Sequence, residues 1–397
     1  MFLISPKSAN SDIDWKKAMT GNRVENPSSF AEFMLIKTSR TFALNIQVLP
    51  PSLRNQVLLA YLFCRMADTL EDDSELEASR KIRLLEDFRG LFPPDRNWET
   101  RLAAFLASLP KEWASSDRWD HLLVAHCHWI FPLLNDFPDP AIKAITACVQ
   151  EMCDGMIRFT ARQAKSVGDA SQPALIETME DLDRYCYYVA GTVGNLLCEL
   201  FAIHSPLIGK QRLQSLKSLS VSFGLGLQLT NILKDIHDDR QRNVSYIPQA
   251  LLAQEHLSEQ AFLSLEGRAG ATRILAHLLR KAKAHLEDAL EYSCRLPILE
   301  PRLRLFCLWP LFMAAETVVL IADNLEGIQD ETKMKISRSQ VKRIVRKTSM
   351  ACWSNIWIRS MFKTTMERLE ARLEKVSKLP SALHTGGLAS GSMGAQT

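Results

Sequence analysis

Two acidic clusters interrupt long apolar helical stretches, and any fold of this chain must find a place for them. The first is Asp68-Thr69-Leu70-Glu71-Asp72-Asp73, which follows the apolar run 56–67. The second is Asp235-Ile236-His237-Asp238-Asp239, which follows the run 219–233. Asp68 and Asp72 stand four apart, as do Asp235 and Asp239, so each pair shares one helix face. An uncompensated carboxylate on a buried face costs roughly several kcal/mol. A cation partner or bound metal ions removes that penalty. Two such faces across a helical bundle make a site for hard divalent cations holding a diphosphate.

The stripes extend beyond the acids. Tyr61, Arg65, Asp68 and Asp72 fall at i, i+4, i+7 and i+11, a polar line beside apolar Leu58, Leu59, Leu62 and Phe63. Gln228, Asn231, Asp235 and Asp239 fall at i, i+3, i+7 and i+11. Taken singly, each stripe also reads as a solvated acidic helix end; their co-occurrence favours two facing halves of one pocket. An EF-hand is excluded, because Leu70 occupies a ligand position and no glycine follows. Gly224 and Gly226 lie in the apolar helix before the second cluster, where each costs about 1 kcal/mol against Ala. Glycines there permit close approach of a backbone or a ligand.

Two further segments stand out. In 185–195 (YCYYVAGTVGN), Gly191 and Gly194 share a face with Tyr188 and Asn195. That face reads equally as a tight helix crossing or as a wall for a long apolar chain. In 38–42 (TSRTF), hydroxyls, an arginine and free N–H groups at a helix start suit a phosphate, although Ser and Thr are also ordinary helix caps. His121, His126, Cys127 and His128 lack the spacing and common face of a zinc site. The basic run 333–347 reads as an amphipathic helix with Ile336, Val341, Ile344 and Val345 on its buried side.

The spacing predicts an all-α protein. Apolar residues recur at helical intervals from about Phe30 to Leu373, strand-type alternation is nearly absent, and prolines mark the breaks. The expected layout is a flexible leader over 1–28, one helical domain over 29–375 and a disordered tail over 376–397. A net charge of +3 on 397 residues gives no nucleic-acid footprint. The first residues lack a signal-peptide core. No apolar run reaches about 18 residues, the nearest, 311–322, containing Glu316. Nine cysteines without a C-x-x-C pair fit free thiols in a reducing cytosol.

Together, TSRTFA (38–43), Tyr61-x3-Arg65-x2-DTLEDD, YCYYVAGTVG (185–194) and QLTNILKDIHDD (228–239) resemble the squalene/phytoene synthase family, the head-to-head trans-isoprenyl diphosphate synthases. The resemblance runs from about Phe30 to Met350, and DTLEDD is most similar to the squalene synthase branch. It implies an isoprenoid synthase helical bundle around a central cavity. It also implies condensation of two farnesyl diphosphates through presqualene diphosphate, then NADPH-dependent reduction to squalene. The metal positions would be Asp68, Glu71, Asp72, Asp235 and Asp239, holding Mg2+ or alternatively Mn2+. Tyr185, Arg65 and Tyr61 would be catalytic. Ser39, Arg40, Phe42, Val189, Gly191, Gln228, Asn231, Lys234 and Phe306 would meet substrate, and Lys335 would lie near NADPH. One departure is Val244, where the family commonly carries a diphosphate-gripping arginine; Arg242 or Arg240 is the substitute. The resemblance further implies a cytoplasmic monomer with peripheral contact at the inner face of a membrane. The alternatives are a dehydrosqualene, phytoene, hydroxysqualene or presqualene diphosphate synthase without the reduction, and a non-catalytic helical scaffold.

Overall fold

Prolines expected to mark breaks stand at helix starts, Pro51 as a first residue and Pro248 as a cap. The computed structural model describes residues 15, 19, 26–39, 42–166, 175–242, 244–325 and 334–376, and among them there is no strand. Helix α1 (Pro27–Thr38) starts at a proline behind an Asn26 cap, whose side chain accepts the Ser29 N–H. Helix α2 (Phe42–Gln47) is short. Helix α3 (Pro51–Asp72) starts at Pro51 and carries the first acidic cluster at its C-terminal end. Then follow α4 (Ala78–Arg89), α5 (Trp98–Ser108), α6 (Trp119–Ala125) and the long α7 (Asp139–Ser166). Helix α8 (Met179–Cys186) opens on a Thr178/Asp181 capping box and runs through a π-helical turn, Tyr187–Gly191, into α9 (Thr192–His204).

Helix α10 (Lys210–Lys234) ends at Asp235, and the second cluster continues into the short α11 (Ile236–Gln241). Two small helices, α12 (Gln249–Gln254) and α13 (Glu259–Phe262), lead to α14 (Arg268–Arg295) and α15 (Pro301–Asp323). Helix α16 (Arg338–Ala351), capped by a Ser337/Gln340 box, and α17 (Asn355–Val376) complete the order. As expected, Ile344 of the basic run is buried, with Ile336, Val341 and Val345 packed beside it.

Two apolar cores result. One is built mainly from the N-terminal helices through α7 and α9. The other joins α10, α14, α15, α16 and α17. Val48, Val189 and Phe223 are half-buried and pack against both, so they line the seam between the cores. Phe306 lies deep in the first core, edge-on to Phe201 at 5.9 Å. All nine cysteines are buried and unpaired.

The leader reading does not hold for two of its residues. Trp15 stacks on Phe33 at 5.2 Å and tilts against Phe30, and Met19 is also buried. Helix α1 itself begins at Pro27, inside the expected leader. The length limit placed on apolar helices also needs correction. Pro301–Asp323 is long and apolar enough to cross a bilayer, yet 83% of its apolar window is buried, as in a core helix. Met179–His204 passes the same test with 39% buried.

The glycine face of 185–195 is a crossing. A Cβ on Gly194 would stand 2.1 Å from the Ser220 carbonyl oxygen, and one on Gly224 would stand 2.3 Å from that of Ala190. Only hydrogen fits where α10 meets the π turn and α9. Gly224→Ala should therefore lower stability by about 1–3 kcal/mol through overpacking against backbone. Thermal unfolding would show it; an unshifted melting temperature would mean that the crossing is not tight.

Candidate functional site

Helix α3 ends because Asp73 turns inward. Its backbone is extended, and its carboxylate accepts from Arg118 at 3.1 Å, His121 at 2.8 Å and the Glu75 N–H. Asp73 is 1% exposed and fully engaged as a terminator. His121 is committed to it and stacks on Trp113, so the histidine cluster serves packing and hydrogen bonding. Asp68, Glu71 and Asp72 remain on the other side of the last two turns. Asp68 and Glu71 are half-buried and Asp72 is exposed.

The second stripe is not one continuous helix. Asp235 leaves helical geometry at φ −104° and ψ 15°, although the Asp239 N–H still donates to the Asp235 carbonyl at 2.9 Å. The break turns Asp239 inward, to 6% exposure. Arg242 then joins the two clusters. It bonds Asp239 at 2.5 Å and reaches Asp72 at 3.6 Å. Of the two substitutes for the arginine missing at Val244, Arg242 occupies the site, whereas Arg240 pairs with Glu259 at 3.0 Å.

This crowding shifts the acids. Burial pushes the Asp68 carboxyl up to about 7, with Asp72 adding and Arg65 opposing. Burial, then Asp72 and Asp68, holds Glu71 well above the usual carboxylate range. Asp239 rises to about 6 through burial, resisted by Arg242 and reinforced by Asp235 and Asp72. Lys81 on α4 donates to the Glu71 carbonyl at 2.6 Å and places its ammonium among these acids.

Tyr185 lies beneath the clusters. Its hydroxyl donates to that of Tyr246 at 3.0 Å, and the rings stack at 4.7 Å. Burial, with Glu71 and Asp72 nearby, drives both phenols well above their ordinary range. Tyr61 donates to the Thr38 carbonyl at 3.2 Å and stacks on Phe42 at 6.1 Å. Arg65 faces Asp120 at 3.9 Å, and its Nε is buried without a hydrogen-bond partner.

Thus Arg65, Asp68, Glu71, Asp72, Tyr185, Asp235 and Asp239 share one electrostatic neighbourhood. Gln228 is half-buried one turn before exposed Asn231, while Lys234 pairs with Asp235 at 2.9 Å. Ser39 caps α2 by accepting the Phe42 N–H at 3.0 Å. Gly191 lies in the crossing and Val189 on the seam. Lys335 is exposed, and Arg40 lies outside the described residues. Sequence reasoning missed Tyr246, Lys81 and Asp120. Tyr246 follows a non-helical stretch and Lys81 sits on another helix, so no periodicity marks either.

Among the described residues no three His, Cys, Asp or Glu side chains converge on one metal position. The donor set is nevertheless all oxygen and mutually repelling, which suits Mg2+. That ion takes one or two carboxylates together with substrate phosphates rather than a complete protein cage.

The model of the squalene/phytoene synthase family matches residues 35–340. The squalene synthase of Solanum lycopersicum is 32% identical over 326 residues, covering 80% of this chain and 70% of that protein. The squalene synthase of Saccharomyces cerevisiae is 31% identical over 304 residues, covering 76% and 63%. A solved structure of TcSQS with the ligand E5700 superposes with a TM-score of 0.73 at 24% identity, covering 89% of this chain and 96% of that one. A dehydrosqualene synthase structure gives a TM-score of 0.56 at 20% identity, covering 85% and 97%. At these identities the two structures speak for the fold alone.

The raised acids have a consequence for stability. A carboxyl whose folded pKa exceeds its ordinary 3.8 binds more protons folded than unfolded. Its stabilisation is full below that value and lost as pH rises through the folded pKa. For Asp239 and Asp68 the loss runs up through about 6 and about 7. Metal-free protein should therefore melt lower as pH rises across this window. Asp68→Asn should flatten the fall and melt above the parent at the alkaline end. Parallel melting curves for the two proteins would disprove the strain assigned to Asp68.

Proposed function

We propose that this chain, which belongs to the squalene/phytoene synthase family, joins two farnesyl diphosphates head to head and carries the product on to squalene. The observation that carries the reading is Arg242 spanning Asp72 and Asp239, which brings the two acidic clusters together. The first half-reaction releases one diphosphate and one proton to give presqualene diphosphate. The second releases the other diphosphate and takes up a hydride.

Asp68, Glu71 and Asp72 on one bank, and Asp235 and Asp239 on the other, are the residues that would hold Mg2+. Bound there, Mg2+ supplies neutralisation of the charge that develops on the departing diphosphate. Arg242, which spans the two acid banks, would offer its guanidinium to the phosphate oxygens. Arg65, with an unsatisfied Nε, and Lys81 add fixed positive charge beside the same oxygens. Arg40 and Lys234 belong to the same proposed grip. Ser39, Phe42, Gln228 and Asn231 line its approach.

Tyr185 and Tyr246 remain neutral phenols, because burial disfavours phenolate. Tyr185 therefore orients and donates, and the proton lost on ring closure goes to the released diphosphate. Tyr61 braces the end of α1 through Thr38. Val189 and Phe306 bound the apolar side, with Gly191 letting the π turn pack closely behind Val189, and exclusion of water there protects the cationic stages from capture as alcohols. NADPH, when bound, supplies the hydride. Lys335 is the residue assigned to it, and a single exposed lysine fits one phosphate without defining a nucleotide pocket.

Incubation with farnesyl diphosphate and Mg2+, followed by mass spectrometry, tests the assignment. Squalene should appear only with NADPH, and presqualene diphosphate without it. A C30 product indifferent to NADPH would move the chain to a non-reductive relative. Asp68→Asn and Asp239→Asn should each lower kcat at least about a hundredfold with the helical circular dichroism intact. Tyr246→Phe should slow turnover less, because the Tyr185 ring keeps its stacking partner. Full activity in either aspartate variant would overturn the metal assignment.

A further inference from the structure

One end of the molecule carries an apolar tip built by three turns. Arg304, 0% exposed, ties two of them together. Its Nε donates to the Cys352 carbonyl at 2.7 Å, Nη1 to the Leu296 carbonyl at 2.8 Å and Nη2 to the Asn355 side chain at 2.5 Å. The third turn is attached by Ser205, whose hydroxyl donates to Glu300 at 2.5 Å. Large apolar side chains project outward from this fixed frame. Leu299 is 76% exposed, Ile356 84%, Met350 61%, Trp353 56% and Trp357 53%, with Leu207 at 42%. Turns this firmly anchored hold those side chains in water at a steady unfavourable free energy, which a partner would relieve.

The stretch that carries Met350, Trp353, Ile356 and Trp357 is basic, while Glu300 beside Leu299 is held by Ser205 and Glu291 by Arg295 and Arg359. From Met334 to Met366 the chain contains no acidic residue. Lys342, Arg343, Arg346 and Lys347 on α16 are all exposed, and no ion pair with an acid is found for them among the described residues. Arg343, Lys347 and Met350 stand at i, i+4 and i+7, so the basic face of α16 runs down into the apolar tip. The described C-terminal end of the chain lies elsewhere. Helix α17 leads away from Trp357 for about 30 Å at 1.5 Å per residue. The ion pair of Arg372 with Asp323, at 2.5 Å, places the far ends of α17 and α15 together.

We propose that this tip is a membrane-docking face. Leu299, Trp353, Ile356 and Trp357 enter the interface of an anionic bilayer, and the basic face of α16 lies against its headgroups. Tryptophan favours that depth, because its ring is amphipathic. Basic residues bordering an apolar insertion are the pattern of peripheral binding to anionic lipid. The buried apolar helix Pro301–Asp323 contributes its N-terminal turn to the frame and stays in the core. The face stands on its own observations. Its use rests on the proposed function, since an insoluble hydrocarbon product must leave into lipid.

Flotation of the full chain with vesicles tests this. Vesicles of phosphatidylcholine with phosphatidylglycerol should carry the protein up, and phosphatidylcholine alone should carry at least tenfold less. Tryptophan emission should shift to shorter wavelength on binding. Ile356→Ser with Trp357→Ser should cut binding at least tenfold while turnover in detergent is kept. Arg343→Gln with Lys347→Gln should weaken binding and reduce its salt dependence. Binding unchanged in the double serine variant would overturn the proposal. So would a dimer of the parent that this variant dissolves, since the tip would then be covered by a second copy. Loss of flotation with turnover intact would still support the face. Flotation by a protein that makes no squalene would refute the functional reading and leave the face standing.

Discussion

The structure around the site depends on the balance between carboxylates on two helices and one guanidinium. Asp72 and Asp239 belong to segments far apart in the chain, and both need a counter-charge. Arg242 supplies it to both at 3.6 and 2.5 Å. Like charges at this spacing would otherwise push the banks apart or force proton uptake. The upward shifts at Asp68 and Asp239 come first from burial, with the neighbouring carboxylates adding to it. The site is therefore held in a condition that a divalent cation and an anion together satisfy better than the protein does alone.

Irregular backbone gathers where the chemistry is proposed. Helix α3 stops at Asp73, α10 breaks at Asp235, and a π turn separates α8 from α9. Each changes the aim of side chains relative to a straight helix. The break at Asp235 turns Asp239 under its neighbour, and the π turn brings Val189 to the seam between the cores. Regular helices supply the frame, and their interruptions direct the functional groups.

Much of this was legible beforehand, for a physical reason. Apolar spacing carries helix identity, and charged residues on a buried face have few ways to be accommodated, so the helical class and both acidic banks followed from pattern. What escaped notice came from tertiary contact. Tyr246 meets Tyr185 only because a non-helical stretch folds back, and Lys81 reaches Glu71 from the next helix. The assumption of a straight helix through Asp235 failed because periodicity persists across a one-residue break. The segment 1–28 reads as a flexible leader, yet Trp15 packs against Phe30 and Phe33. Arg242 could be named only as one of two substitutes for the residue absent at Val244. Choosing it required knowing that Arg240 pairs with Glu259.

The buried cysteines give the molecule a built-in clock. Each of the nine thiols is enclosed and unpaired, Cys186, Cys294 and Cys352 in the second core and the others in the first. Burial holds Cys127, Cys153, Cys186 and Cys307 far above the range in which a thiolate forms. Alkylating reagents in water consequently meet neither a surface sulfur nor a nucleophile while the helices stay closed. Their rate of uptake, residue by residue, measures how often each of the two cores opens.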